Sequence, residues 1–337
     1  MKTAIVDTRA DIAKSVATAV AVLKSKNLVA IPTETVYGLA GDALEPEALA
    51  KIFEAKERPY FDPLIIHLGS KEWLDQLTRS SHESRSLVET LVQRFWPGPL
   101  TILFRKTEVV PDLATAGLEH VAIRMPSHPV FLEVLRVFGK PLAAPSANRF
   151  GRVSPTRSEH VLEELDGRIP LILDAGPTAV GLESTIVRID ANRIGILRQG
   201  PVTEEILADI APTEELLASQ KILVPGQAVS HYAPNKLVHL FDPLAVTPQS
   251  EHAALICWGP IHHTANFSVV RSLSETRDLR IAAQRLFGLL REMDQLNVQQ
   301  IFVEPVPEVG LGKAIMNRVR RAAARDPRTS PIPLRLA

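Results

Sequence analysis

Lys56, Arg58 and Pro59 stand where a helical pattern stops, so two cations two residues apart project from a helix end that a proline closes. Arg offers a planar fork for paired oxygens and Lys a compact point charge, which together could grip a polyphosphate. The same pair also fits a solvated helix C-terminus favoured by the helix dipole. Asp62-Pro63-Leu64-Ile65-Ile66-His67 then leads into an apolar run. Arg124 leaves another such run, in Ala122-Ile123-Arg124-Met125-Pro126. A charge at that exit needs a partner, either a free carboxylate bound bidentately or a structural salt bridge. In Ala143-Ala144-Pro145-Ser146-Ala147-Asn148, with Ser154 just beyond, small residues let a ligand approach the backbone while Ser and Asn supply oriented hydrogen bonds. A plain loop would look similar. Pro32-Thr33-Glu34-Thr35-Val36-Tyr37-Gly38-Leu39 follows a buried-type strand, at the end where α/β sheets bind ligands; it also reads as a strand-to-helix turn capped by Thr.

These segments need elements to hold them. Apolar residues at helical spacing, Ile12, Val16, Ala19, Val20 and Leu23, feed a short apolar strand at 28–31. The alternation continues with a helix at 46–56, a strand at 64–68, helical stretches before Phe95, and strands at 101–104, 121–124, 170–173, 184–189 and 194–197. A mixed α/β fold follows. After residue 210 the character changes. Residues 211–235 combine a short helical piece at 213–219 with Pro225, Gly226, Ser230 and Pro234, which suits an ordered linker. Strand-like runs at 237–241, 253–256 and 300–303 then bracket an amphipathic stretch at 276–296, which predicts a small α/β unit with a parallel sheet. The expected division is therefore 1–210, a linker at 211–236, and 237–337.

At 337 residues, 45% of them hydrophobic, the chain can bury two cores. Lys plus Arg equals Asp plus Glu at 38 each, which argues against a protein held on nucleic acid or membrane by bulk charge. The start carries no long apolar run, and Cys257 has no second cysteine for an internal disulfide. A cytoplasmic enzyme without a membrane span is the expectation. Cys257 in an apolar strand reads as core, and His262-His263 lacks a second ligand cluster, so no structural metal is expected. The run 313–325, with Arg318, Arg320, Arg321 and Arg325, reads as a basic helical face, either solvated surface or a contact for tRNA or a partner.

Taken together, residues 33–39, Lys56 with Arg58, Phe95-Trp96-Pro97-Gly98-Pro99-Leu100-Thr101, Arg124-Met125-Pro126 and Ser146-Ala147-Asn148 resemble the YrdC-like threonylcarbamoyl-AMP synthases. The likeness continues through Gly181-Leu182-Glu183-Ser184-Thr185-Ile186-Val187 and Leu197-Arg198-Gln199-Gly200. Pro225-Gly226, Ser230-His231-Tyr232-Ala233-Pro234 and Ala314-Ile315-Met316-Asn317-Arg318 resemble the linker and C-terminal domain of the family's two-domain form. The resemblance implies a twisted mixed-sheet catalytic domain of the YrdC-like (DHBP-synthase-like) kind, followed by a smaller Rossmann-like α/β domain.

It also implies an activity and roles. Threonine and bicarbonate or CO2 would form a carbamate that attacks the α-phosphorus of ATP, with Mg2+ accompanying ATP and no tightly held protein metal. A tRNA threonylcarbamoyl transferase complex would act downstream. Thr35, His67, Arg124, Ala144 and Ser184 would line the threonine side. Arg58, Ser146, Ser154, Arg198 and Tyr232 would contact ATP, with Lys56 and Asn148 completing its cradle, and Lys56, Arg58, Ser146 and Asn148 would bear most directly on catalysis. Asp62 departs from the family's usual uncharged residue. A carboxylate there must hold magnesium or pair with Arg58 if it is an ATP contact at all. The reading of a different class is a non-catalytic nucleotide- or RNA-binding module, which would have no need of an amino-acid carboxylate site.

Overall fold

The computed structural model describes residues 2–79, 83–216, 223–226, 231–242, 252–261 and 267–324, and its strands fall into two sheets. The first unit runs β1 (Ala4–Asp7), α1 (Ile12–Lys24), β2 (Val29–Pro32), β3 (Tyr37–Asp42), α2 (Pro46–Lys56), β4 (Ile65–His67), α3 (Leu74–Leu77), β5 (Thr78–Arg79), α4 (Arg85–Phe95) and β6 (Leu100–Lys106). It continues with α5 (Asp112–Thr115), β7 (His120–Arg124), α6 (Pro129–Phe138), β8 (Leu142–Ala143), α7 (Ser158–Leu165), β9 (Leu171–Asp174), β10 (Thr185–Asp190), β11 (Arg193–Arg198), α8 (Glu204–Ala208) and β12 (Thr213–Glu215). The mixed sheet has the order β1-β9-β2-β3-β8-β4-β7-β6-β10-β11-β12, with β5 added on β6.

Local chemistry accounts for the elements beneath the site. Asp11 caps α1 by accepting from the Lys14 amide, and the buried stripe Val16, Ala19, Val20 and Leu23 packs against α6. Pro46 opens α2, and Glu57, in the left-handed conformation at φ 53°, closes it just before Arg58 and Pro59. That closure turns Lys56 inward. β4 and β7 run parallel with His67 beside Arg124, so two expected site residues leave adjacent strands at the same end. The segment 32–39 joins two antiparallel strands, β2 and β3, rather than a strand to a helix.

Where a helical piece is expected from residue 213, residues 213–215 instead form β12, paired parallel to β11 at Ile194, Gly195 and Ile196. Their helical propensity yields to an open sheet edge that takes the backbone hydrogen bonds. Residues 217–222 lie outside the described ones, as do Ser230, Arg325 and the pair His262-His263.

The second unit holds β13 (Leu237–Leu240), β14 (Ala253–Cys257), β15 (Val269–Ser272), α9 (Leu279–Gln295), β16 (Gln300–Val303) and α10 (Leu311–Ala323). Its sheet, β13-β16-β14-β15, is parallel throughout. Cys257 is buried in β14. One apolar cluster spans both units: Val36, Val153, Leu182 and Tyr232 pack with Ala283, Phe287 and Ile315. Gly181 makes the approach close. Its φ is +82°, and a Cβ there would lie 2.5 Å from Gln284 Cα of α9, so a side chain would part the two units. Among the described residues, no helix is long and apolar enough to cross a membrane.

Candidate active site

The strand ends converge on one cavity lined by Thr35, Arg58, His67, Arg124, Ala144, Ser146, Ser184, Arg198 and Tyr232, together with Glu183, Pro225, Gly226 and His231. Its free space is about 50 Å3. That admits a few waters, far below the roughly 300–1,000 Å3 typical of small-molecule sites, so a ligand must displace part of the wall. Pro225, Gly226, His231 and Tyr232, which lie in sequence between the strands of the two sheets, form one part of that wall.

On one side, Arg124 is buried and donates from Nη1 to Thr35 Oγ1 (3.0 Å) and from Nε to the Gly98 carbonyl (3.2 Å). Its Nη2 meets Glu34 Oε1 at 2.6 Å. Thr33 Oγ1 contacts Thr35 Oγ1 at 2.8 Å and accepts from the Thr35 and Val36 amides, which locks the turn. Burial pushes the Glu34 carboxyl up, but the Arg124 guanidinium and backbone amides, including Ser127, outweigh it and hold it below the usual carboxylate range. Arg124 thus carries a structural ion pair in this conformation. His67, packed on Phe131, is pushed down to about 3 by burial and then by the Arg124 charge, so it is neutral near pH 7. Gly38 packs closely on Ala144: a Cβ on Gly38 would lie 3.2 Å from Ala144 Cβ.

On the other side, Arg198 donates from Nε to the Ser184 carbonyl (3.0 Å), from Nη2 to Ser184 Oγ (3.0 Å) and from Nη1 to the Pro225 carbonyl (3.1 Å). Ser184 Oγ also contacts Thr101 Oγ1 at 2.8 Å. Burial pulls Arg198 down to about 10. Arg58 is buried, donates to the Asp62 and Pro63 carbonyls and pairs with Asp62 Oδ2 at 3.0 Å. Asp62 therefore spends one oxygen on Arg58, while its buried Oδ1 has no hydrogen-bond partner; burial raises its pKa despite Arg58. Gly226, at φ +83°, leaves room for Tyr232, whose hydroxyl would lie 2.5 Å from a Cβ there. The Tyr232 ring stacks on Phe287 at 5.6 Å, and His231 stands edge-on to it at 4.1 Å.

Four expected residues sit behind the wall rather than on it. The Lys56 ammonium is fully buried and donates to the Ser146 and Asn148 carbonyls, so in this conformation it shapes the turn rather than meeting the cavity. Burial, then the Arg58 charge, pushes it well below the usual lysine value. Asn148 donates to the Arg149 and Arg152 carbonyls. Ser154 contacts Glu183 Oε1 at 2.5 Å, and Asp62 faces Arg58.

No local pattern singles out Glu183 and His231, which line the cavity, or Glu34, which pairs with Arg124 beside it, and Arg318 departs from the expected basic face. Both acids lie inside the segments singled out above, and an acid in a buried turn needs a partner as much as Arg124 does. Arg318 was expected on an open basic face; it is fully buried, because it falls on the same face of α10 as Ala314, Ile315, Val319 and Ala322. Arg320 pairs with Glu308.

Among the described residues no group of three or more His, Cys, Asp or Glu side chains is arranged to hold a metal. Residues 21–200 match the Sua5, YciO and YrdC family model, described as "Telomere recombination", and residues 202–324 match "Threonylcarbamoyl-AMP synthase, C-terminal domain". A Bacillus subtilis threonylcarbamoyl-AMP synthase is 39% identical over 91% of this chain and 92% of its own. A Pyrococcus abyssi protein of the same name is 38% identical over 89% and 92%. A crystal structure of P. abyssi Sua5 complexed with L-threonine superposes with a TM-score of 0.85 at 35% identity, covering 96% of this chain and 98% of the other.

Proposed function

This chain belongs to the threonylcarbamoyl-AMP synthase family, in the two-domain form with a YrdC-like first domain, and on that premise we propose that it converts L-threonine, bicarbonate or CO2 and ATP into threonylcarbamoyl-AMP and pyrophosphate. In class terms it is a nucleotidyltransferase. It acts in the cytoplasm and hands the threonylcarbamoyl group to a transferase complex that modifies tRNA.

The observation that carries the reading is one cavity lined by Arg124, Arg58 and Arg198 together with Ser184. Threonine places its carboxylate on Arg124 beside Thr35, His67, Ala144 and Ser184. ATP lies against Arg58, Ser146 and Arg198, with Ser154 and Tyr232 at its edge, while Lys56 and Asn148 hold the Ser146 turn in shape. Asp62 tunes Arg58 and makes no direct contact with ATP. Mg2+ enters as part of ATP, on its phosphates.

The threonine amine adds CO2 and loses a proton, giving a carbamate. A carbamate oxygen then bonds the α-phosphorus as the bond from that phosphorus to the bridging oxygen breaks, and pyrophosphate leaves with the electron pair. The nucleophile is already an anion, so no general base is required. The task is to align two anions against their repulsion, and preorganised cations in a closed site do so. Mass spectrometry of a reaction holding ATP, threonine, bicarbonate and Mg2+ tests this: the expected products are threonylcarbamoyl-AMP and pyrophosphate, formed only with threonine and bicarbonate. Release of ADP and phosphate would overturn the mechanism.

A further inference from the structure

Among the charged side chains that the second domain sends toward the first, Arg318 reaches the cavity wall. Arg318, on α10, is fully buried. Its Nε meets Glu183 Oε2 at 3.1 Å, and its Nη1 donates to the Gln199 carbonyl at 2.7 Å. Its guanidinium carbon lies 5.4 Å from the centre of the Tyr232 ring, within cation–π range. Each partner bears on the ATP side proposed above: Glu183 contacts Ser154 through its other oxygen, Gln199 follows Arg198, and Tyr232 belongs to the segment that fills the cavity. The helix is itself anchored to the first unit, with Lys313 paired to Glu204 and the Gly310 amide donating to Glu205.

Glu183 gives the arrangement its consequence. It is a buried carboxylate on the wall of a cavity whose proposed ligand is a polyanion. Left unpaired, it would repel phosphate or turn to Arg198 and occupy the cation that phosphate needs. Arg318 neutralises it from behind, where no ligand reaches, and leaves Arg198 with the Ser184 and Pro225 oxygens. We infer that Arg318 is a positioning residue of the active site: from the C-terminal domain it cancels the Glu183 charge and seats Tyr232, so the ATP half of the site is complete only with both domains docked.

This rests on the ATP assignment above, and the test separates the two. In the full-length chain, ATP and threonine affinities are measured separately by calorimetry, alongside pyrophosphate release and thermal unfolding, for Arg318→Met and for Arg318→Met with Glu183→Gln. The single variant should weaken ATP by at least about tenfold and threonine alone by less than about threefold, in keeping with an unpaired buried charge acting on its neighbour. Adding Glu183→Gln removes that charge and should restore most of the ATP affinity, whatever happens to the melting temperature. A melting temperature that falls while both affinities stay at wild-type values would make Arg318 structural glue and overturn the inference. So would a double variant no better at binding ATP than the single. If the methionine chain does not fold, Arg318→Lys carries the test: one ammonium cannot hold both Glu183 and Gln199, so KM for ATP rises about threefold, and an unchanged KM overturns the inference. A wild-type chain that binds no ATP would instead refute the assignment beneath it.

Discussion

Replacing Arg124 with leucine separates two things that one guanidinium does. Within the fold it holds Glu34 at 2.6 Å, Thr35 Oγ1 at 3.0 Å and the Gly98 carbonyl at 3.2 Å, all in a buried setting. Removing it leaves the buried Glu34 carboxylate with backbone amides, Ser127 among them, and no cation, and breaking a buried pair in this way costs about 3–5 kcal/mol. For the ligand, losing the partner of a buried carboxylate costs about 2–5 kcal/mol, so threonine affinity should fall at least ~30-fold. ATP, set against Arg58 and Arg198 on the proposed assignment, should change by less than about threefold. A double variant, Arg124→Leu with Glu34→Leu, should regain most of the lost stability, because replacing both partners with apolar groups is close to neutral, yet it should stay blind to threonine. The acid limb of stability supplies a second signature. The Glu34 pKa is depressed in the folded state, so its contribution is present above the unfolded value and lost as pH falls through the folded one; Arg124→Leu should flatten that loss. Calorimetric titration with threonine and with a non-hydrolysable ATP analogue, beside urea unfolding across pH 3–7, reads all of these. Equal loss of both ligands, or a double variant no more stable than the single, would refute the reasoning.

Three further outcomes are expected. Tyr232→Ala should lower turnover and raise the fraction of threonylcarbamoyl-AMP lost to hydrolysis, because the ring that fills the cavity mouth is gone; wild-type kinetics together with wild-type ATP protection of the segment against protease would show a passive tether. Asp62→Asn should tighten ATP about threefold to tenfold while lowering the melting temperature of the ligand-free chain, since it leaves the buried Arg58 guanidinium without its carboxylate and free for phosphate, and weaker ATP binding would show that the ion pair positions Arg58. His67 is pushed down to about 3, below its unfolded value, so the unfolded chain takes up a proton first and stability should fall as pH drops from about 6.5; His67→Gln should shrink that fall, as judged by urea midpoints.

How far the sequence carried can be judged from particular residues. The strands that launch the site were legible because each is a short apolar run bounded by Pro, Gly or charge, and Arg124 and His67 stand at such exits. β12 was not legible. Glu214 and Glu215 favour helix in isolation, and only the open edge of β11, known from the folded sheet, recruits them. The cavity wall was legible as segments but not as pairs. Glu34 belongs to Arg124 from 90 positions away, and Glu183 to Arg318 from 135, and no local pattern announces such partners. Helical phase alone puts Arg318 on the buried face with Ala314, Ile315, Val319 and Ala322, whereas its charge points to a solvent face.

The same pairings explain how so many cations share a closed cavity before any substrate arrives. A buried cation without a partner is expensive, and Arg58, Arg124 and Arg198 line one cavity with Lys56 buried behind it. Each borrows oxygen from the protein: Lys56 from the Ser146 and Asn148 carbonyls, Arg58 from Asp62 and the Pro63 carbonyl, Arg124 from Glu34, Arg198 from Ser184 and the Pro225 carbonyl. On the proposed assignment, threonine carboxylate would take over from Glu34 part of the Arg124 fork, and phosphate would take over from the Pro225 carbonyl one arm of Arg198. The remaining oxygens stay fixed and hold each cation in place during the exchange, so binding replaces one oxygen by another with little reorganisation.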